Sequence, residues 1–371
     1  MRSDRIVSLD VFRGLTIALM ILVNAAGAGS PPYTALAHSP WFGFTLADLV
    51  FPSFLFAMGN ALAFVLCRPM TDRQFRKKIF ERVVLLFLIG FLMYWYPFVH
   101  FTAEGTVAVN SLADTRIMGV LQRTALTYGF AAILVRRYSP KQIVLIGLGL
   151  LVGYWGLLLL GAPEGCAFSK SVNLGSRIDV LILGQSHLLT WDDGFEPEGL
   201  LGTLPATVNV LAGYLAGRLL QHTPDRCRTT LHASVCGLAL IAAGLIWSQW
   251  FPLSKKLWTG SFVLLTVGID LIVLAVLVLL FDVRKIVAGK KFFSVFGMNP
   301  LALYLFSELL PPSAALLSPL LGEDPSYWIG VTVYQHLAPG PFGALLCAAS
   351  YMLLCWGVGY GLYRRNLFVR L

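Results

Sequence analysis

Hydrophobic residues in this chain gather into long windows. Windows of bilayer length recur at roughly 11–28, 46–66, 83–100, 119–135, 143–161, 200–217, 231–250, 260–281, 300–321 and 340–362. Each is near the ~20 residues that a helix needs to cross ~30 Å of hydrocarbon. The pattern predicts an all-α fold, a polytopic membrane helical bundle of about ten transmembrane helices. No low-complexity linker or sizeable soluble stretch interrupts it, so residues 1–371 read as a single transmembrane domain. Asn299-Pro300, after Gly297-Met298, predicts an N-cap followed by proline at the first helical position. Pro52 and Pro205 fall inside or near the starts of spans, where they free backbone groups that neighbouring helices or water must satisfy.

Composition supports the membrane reading. The chain is 57% hydrophobic and 13% charged, with a mean hydropathy of +0.73, whereas a soluble domain carries about 25% charged residues. Of 28 Lys and Arg residues, 22 fall in one alternating set of inter-span segments. The opposite set holds Arg116, Lys170, Arg177, Lys255 and Lys256, and Arg123 lies inside a span. This asymmetry predicts that both termini are cytoplasmic. It also accounts for the net charge of +9 without a nucleic-acid partner. Ten of the nineteen acidic residues fall in the outward segments, either as an electronegative mouth for a cationic ligand or as solvated loops. Arg2 and Arg5, the apolar run from Leu15 to Val23 and Ala26-Gly27-Ala28 imitate a secretory signal. Asp4, Asp10 and Arg13 are atypical of one, and the charge pattern needs the first span, so retention is expected. None of the six cysteines forms a CxxC or His/Cys cluster, and no metal site is expected.

Asp48, Arg123, Asp270 and Glu308 sit within or at the edges of spans. Charges in hydrocarbon mark a polar interior, or else interhelical ion pairs that only fix packing. The longest outward connection, 162–199, carries Trp191-Asp192-Asp193-Gly194-Phe195-Glu196-Pro197-Glu198-Gly199, and is either functional or a cap. His38 lies in an aromatic loop just ahead of Asp48, and Asn24 ends the first span. An asparagine amide can donate to an oxyanion. A histidine can take a proton from a nucleophile or itself accept an acyl group, and an aspartate can orient the imidazole. From spacing alone the constellation is weak, and a merely solvated interfacial histidine is the commoner case.

The chain resembles the heparan-α-glucosaminide N-acetyltransferase family and its bacterial relatives, which are transmembrane acyltransferases. The resemblance rests on Ser8-Leu9-Asp10-Val11-Phe12-Arg13-Gly14, Val23-Asn24, His38 with Trp41 and Gly43, Ala47-Asp48-Leu49-Val50-Phe51-Pro52 and Gly119-Val120-Leu121-Gln122-Arg123. It continues through Glu196-Pro197-Glu198-Gly199-Leu200-Leu201, Lys255-Lys256-Leu257-Trp258 and Gly297-Met298-Asn299. It implies transfer of an acetyl group from cytoplasmic acetyl-CoA to the amine of a glucosamine-type sugar across a bacterial inner membrane. The family's catalytic histidine falls on His38 and its asparagine on Asn24, with Asp48 as orienter. The animal enzymes carry a lumenal N-terminal domain and a preceding span that do not occur in this sequence, and the loop with Pro31-Pro32 differs.

On this reading Arg13, Arg123, Lys290 and Lys291, with Asn299, are the candidates for the CoA nucleotide by charge complementarity. Asp193, Glu196 and Glu198 would meet the sugar ammonium, and Trp41 and Trp191 would stack on the ring. The expected partners are acetyl-CoA, the saccharide and membrane lipid, with a homodimer open. An O-acetyltransferase of an envelope polysaccharide and a permease for amino sugars or N-acetylglucosamine are the alternatives, although no inverted repeat is evident.

Overall fold

The computed structural model describes residues 6–66, 69–102, 105–192 and 194–369. Arg2, Asp4, Arg5 and Asp193, and the side chain of Trp191, lie outside the described residues.

Helices dominate the described chain. It runs through α1 (Val7–Asn24), α2 (Leu46–Leu66), α3 (Asp72–Trp95), a small antiparallel ribbon of β1 (Val99–Phe101) and β2 (Val107–Val109), α4 (Val120–Arg137) and α5 (Pro140–Gly161). There follow a short α6 (Leu174–Leu183), α7 (Thr203–His222), α8 (Arg226–Trp247), α9 (Gly260–Leu277), which a π-helical turn extends to Val283, α10 (Lys290–Met298) and α11 (Pro300–Ala315). Three short pieces, α12 (Ser318–Leu321), α13 (Pro325–Trp328) and α14 (Gln335–Leu337), lead to α15 (Pro341–Arg364).

A helix overlaps every one of the ten apolar windows, but six are long and apolar enough to cross a bilayer: α1, α2, α5, α8, α9 with its extension, and α15. α10 and α11 together would make a seventh, bent by 80° at Asn299. The other three helices carry polar or charged residues along their length. α3 opens on a run that includes Asp72, Lys77, Lys78 and Arg82, α4 carries Arg123, Arg136 and Arg137, and α7 carries Asn209 and Arg218.

Local rules explain several helix ends. Thr71 caps α3 in a reciprocal box with Gln74, Ser139 and Gln142 do the same for α5 with Pro140 at its first position, and the Asp225 carboxylate accepts from the Cys227 and Arg228 amides to start α8. Pro300 starts α11 as expected, but Asn299 makes no cap. Its side chain instead donates to the Leu367 carbonyl at 3.0 Å and accepts from the Val369 amide at 2.8 Å, tying the tail after α15 to the α10–α11 bend. Pro205 sits in the first turn of α7, where an amide proton has no helical partner anyway, whereas Pro52 is buried inside α2.

The bundle is held by close backbone contacts between helices. A Cβ on Gly59 of α2 would lie 2.0 Å from the Val210 carbonyl oxygen of α7, and one on Gly213 of α7 would lie 2.0 Å from the Phe56 oxygen of α2. Such small-residue seams let helices gain dispersion contacts where lipid supplies no hydrophobic drive. The outer helices tell the complementary story. In the most apolar stretch of α8, 22% of residues are buried against 67% in α2, and Leu231, Val235, Leu238 and Ile246 lie on the open side of α8. An apolar residue exposed along a long helix is costly in water and favourable in hydrocarbon.

The order of the helices defines two ends. α1 runs from Asp10 and Arg13 at one end to Asn24 at the other; His38, the starts of α2, α4 and α7, and the 184–202 loop share the Asn24 end.

Candidate active site

His38 reaches α2 through Asp48. The loop 37–45 wraps the first turn of α2 because the Asp48 carboxylate gathers its donors: His38 Nδ1 lies 2.9 Å from Oδ1, and Oδ2 accepts from the Ser39 amide at 3.2 Å, the Thr45 amide at 3.1 Å and both the Ser39 and Thr45 hydroxyls. The carboxylate is fully buried while the His38 side chain is 43% exposed. An ionised carboxylate only accepts, so the Nδ1 of His38 carries the proton and Nε2 is left for chemistry. Nε2 lies 3.2 Å from the Lys255 ammonium, which approaches from the α8–α9 loop.

His38, Ser39, Asp48 and Lys255 line a cavity of about 350 Å³ together with Asn24, Arg116, Glu198 and Tyr304. The Asn24 amide donates to the Glu308 carboxylate at 2.9 Å. Arg116 is clamped between two acidic residues of the 184–202 loop, with Nε 2.9 Å from Glu196 and its terminal nitrogen 2.6 Å from Glu198, and its guanidinium lies over the Tyr94 ring. Burial lowers the proton affinity of Lys255, and Glu198 and Asp48 pull it back up. Burial works to raise that of Glu198, but Arg116, Arg123 and Lys255 outweigh it and hold the group ionised. A ring nitrogen beside a half-buried ammonium, with amide and guanidinium donors around it, can accept a proton and steady a developing negative charge.

A second chamber, of about 560 Å³, lies at the other end of the same helices. Arg13 of α1, Phe54 and Met58 of α2, Leu121 and Thr124 of α4 and Leu301 of α11 line it, while Met20, Phe51, Val120 and Tyr304 of those helices line the His38 cavity. Val120 and Leu121, neighbours in sequence, thus face different cavities. Arg82 also lines the second chamber; it lies over the Tyr128 ring, and its buried Nε has no hydrogen-bond partner among the described residues.

Residues 5–244 match the family described as heparan-alpha-glucosaminide N-acetyltransferase, catalytic. The chain belongs to this family. It is 29% identical over 364 residues to the human heparan-alpha-glucosaminide N-acetyltransferase, covering 82% of this chain and 53% of that protein. It is 28% identical over 425 residues to the mouse protein of the same name, covering 99% of this chain and 60% of the relative. The chain thus spans little more than half the length of the curated relatives it matches. Asn24, His38, Asp48, Arg116, Glu196 and Glu198 fall within the matched family segment, and Lys255, Asn299 and Glu308 lie beyond it.

The family segment brings Asn24, His38, Asp48 and Glu198 to one cavity, but several other expected site residues sit elsewhere. Arg123 is buried at the His38 end, where it donates to the Gly199 carbonyl at 3.0 Å and lies 5.0 Å from the Trp258 ring centre, so it cannot belong to a nucleotide site at the Arg13 end. Asn299 is fully buried and occupied by the tail. Lys290 and Lys291 line a separate exposed pocket of about 470 Å³ with Asp10 and Tyr363, and Lys291 packs on the Tyr360 ring. Arg13 contacts the Gly297 carbonyl and Asp10 in the wall of the Arg13 chamber. Glu196 has its charge consumed by Arg116 and does not line the His38 cavity. Trp41 does not line it either: its indole donates to the Phe168 carbonyl and its ring meets Phe195 edge-on, so it fastens the loop.

The four ionisable residues expected within or at the edges of spans do not pair with one another. Asp48 takes His38, Arg123 takes a carbonyl and an aromatic face, Asp270 takes the Ser53 hydroxyl at 2.5 Å, and Glu308 takes the Asn24 amide. Sequence reasoning missed Arg116, Lys255 and Arg82 as site residues. The signal was present for the first two, because they are cations in segments where the charge asymmetry disfavours them. Lys170 and Lys256, of that same minority, both reach Asp192, at 2.7 and 2.8 Å.

Proposed function

We propose that this protein is a membrane acetyltransferase that moves an acetyl group from cytoplasmic acetyl-CoA to the amine of a glucosamine-type acceptor at the opposite face, with His38 at the point of transfer. The observation that carries the reading is the pair of cavities on the same four helices, one holding His38, Asp48 and Lys255 and the other Arg13 and Arg82, in a chain of the N-acetyltransferase family. It takes the ten helices as ten spans, counting the bent α10–α11 pair as one and three helices of lower hydropathy as membrane-embedded. Both termini are then cytoplasmic, and residues 1–371 act as one domain.

Arg13 and Arg82 bring guanidinium groups to the wall of the chamber for the phosphates of CoA, and the exposed Lys290 and Lys291 add charge nearby. The acceptor amine adds to the thioester carbonyl; His38 Nε2 takes the amine proton while Asp48 holds the Nδ1 side, and the C–S bond breaks to release the CoA thiolate, which His38 reprotonates. Asn24 and Lys255 donate to the oxygen that gains charge during addition.

Labelled acetyl-CoA and glucosamine given to the purified protein in detergent test the reading. Product forms without a sealed membrane, and His38→Ala abolishes it while the protein stays folded; full activity in that variant would sink the assignment. The 80° break between α10 and α11 favours a permease. Uptake of N-acetylglucosamine into sealed vesicles without any acetylated product in detergent would select that alternative.

A further inference from the structure

Behind Asn24, on the side away from His38, lies a cavity of about 660 Å³ that the reaction above does not use. Ile21 and Ala28, Leu310 and Pro311, Ile329 and Leu354 give it apolar walls, and Glu308 stands where it meets Asn24. Asn24 lines both this cavity and the His38 cavity. Tyr304 and Glu308 are one turn apart on α11, the first facing His38's cavity and the second facing this one. The two spaces are therefore neighbours across a single amide side chain.

Charge singles out Glu308. Other carboxylates around the His38 cavity are already answered: Asp48 by the His38 Nδ1–H and the Ser39 and Thr45 donors, Glu196 and Glu198 by Arg116, and Asp192 by Lys170 and Lys256. The partner of Glu308 among the described residues is the neutral Asn24 amide. A carboxylate in an apolar membrane pocket without a counter-ion is costly, and a ligand cation relieves that cost. Ligand pockets of this size are apolar with a few convergent polar groups, and Ser307 and the Tyr351 hydroxyl flank Glu308 here.

We infer that Glu308 docks the ammonium of the acceptor and that the cavity behind it receives an apolar aglycone, so that the preferred acceptor is an amphipathic amino sugar rather than a free one. This rests on the proposed acetyl transfer, and it moves ammonium recognition from Glu196 and Glu198 to Glu308.

Calorimetry on the full chain in lipid nanodiscs tests it directly, with glucosamine, phenyl glucosaminide and phenyl N-acetylglucosaminide as probes. The expected order is tighter binding of phenyl glucosaminide than of glucosamine. Glu308→Gln keeps an oxygen acceptor for Asn24 and removes only the charge; it should weaken phenyl glucosaminide at least ~10-fold while changing the N-acetylated probe little. Cys347→Phe, which fills the cavity, should erase the advantage of the phenyl group and spare glucosamine. Equal binding of both amines by the wild type, or unchanged amine binding by Glu308→Gln, overturns the inference even where acetylated product forms. Charge-dependent binding without any acetyl transfer by the wild type would instead overturn the proposed reaction.

Discussion

At the His38 end of the bundle charged side chains are buried and answered within the protein, Arg116 by two glutamates, Asp192 by two lysines and Asp48 by His38 and a ring of hydroxyls and amides. At the Arg13 end, Lys290 and Lys291 are exposed and the half-buried Arg82 lines an open chamber. The difference follows from solvation. A charge removed from water needs its partner built in, at several kcal/mol per ion, whereas a charge at the rim keeps its donors for an incoming anion. One end is organised to hold a fixed geometry, and the proposed function makes the other the end that receives a polyanion.

The largest expected effect lies in the built geometry: His38→Ala should lower acetyl transfer by about 10²–10⁴-fold, measured as labelled product under saturating donor. Arg116→Met would leave Glu196 and Glu198 buried without their cation, and should destabilise the protein by about 3–5 kcal/mol, read as a lower melting temperature in detergent. The open end should respond in binding rather than stability. Arg82→Gln should raise KM for acetyl-CoA by roughly 10-fold with little change in melting, whereas Lys290→Ala, at an exposed site, should alter stability by less than about 0.5 kcal/mol. If Arg82→Gln melts the protein and Arg116→Met does not, the contrast between the ends is reversed.

A further effect concerns pH. Asp179 of α6 accepts from the Leu200 amide at 2.8 Å, and burial, opposed by that bond and by Arg123, pushes its pKa up from 3.8 to about 6. Between these values the folded chain keeps a proton that the unfolded chain has released. Stability from this group is thus full below about pH 4 and lost as pH rises through 6, by roughly 3 kcal/mol at most. Asp179→Asn should flatten the melting temperature across that window; an unchanged slope would assign it to other groups.

Much of the architecture was legible because long apolar windows have few alternatives to helices. Their number as spans was less so, since α3, α4 and α7 mix apolar faces with charges whose cost depends on what surrounds them. His38, Asn24 and Asp48 were legible as candidates through the run of motifs, while Arg123 and Asn299 were misread because charge and motif say nothing of depth or of partners 76 and 68 residues away.

The sequence by itself determined the helical class, the apolar belt and the segregation of basic residues, because each depends on local composition and on transfer between water and hydrocarbon. Tertiary structure alone decided that Lys255 reaches His38 across 217 residues, that Arg116 neutralises the acidic loop, and that Asn24 separates two cavities with Glu308 behind it. Those facts depend on which helix ends meet, and the close glycine seams between the helices, rather than any local preference, set that meeting.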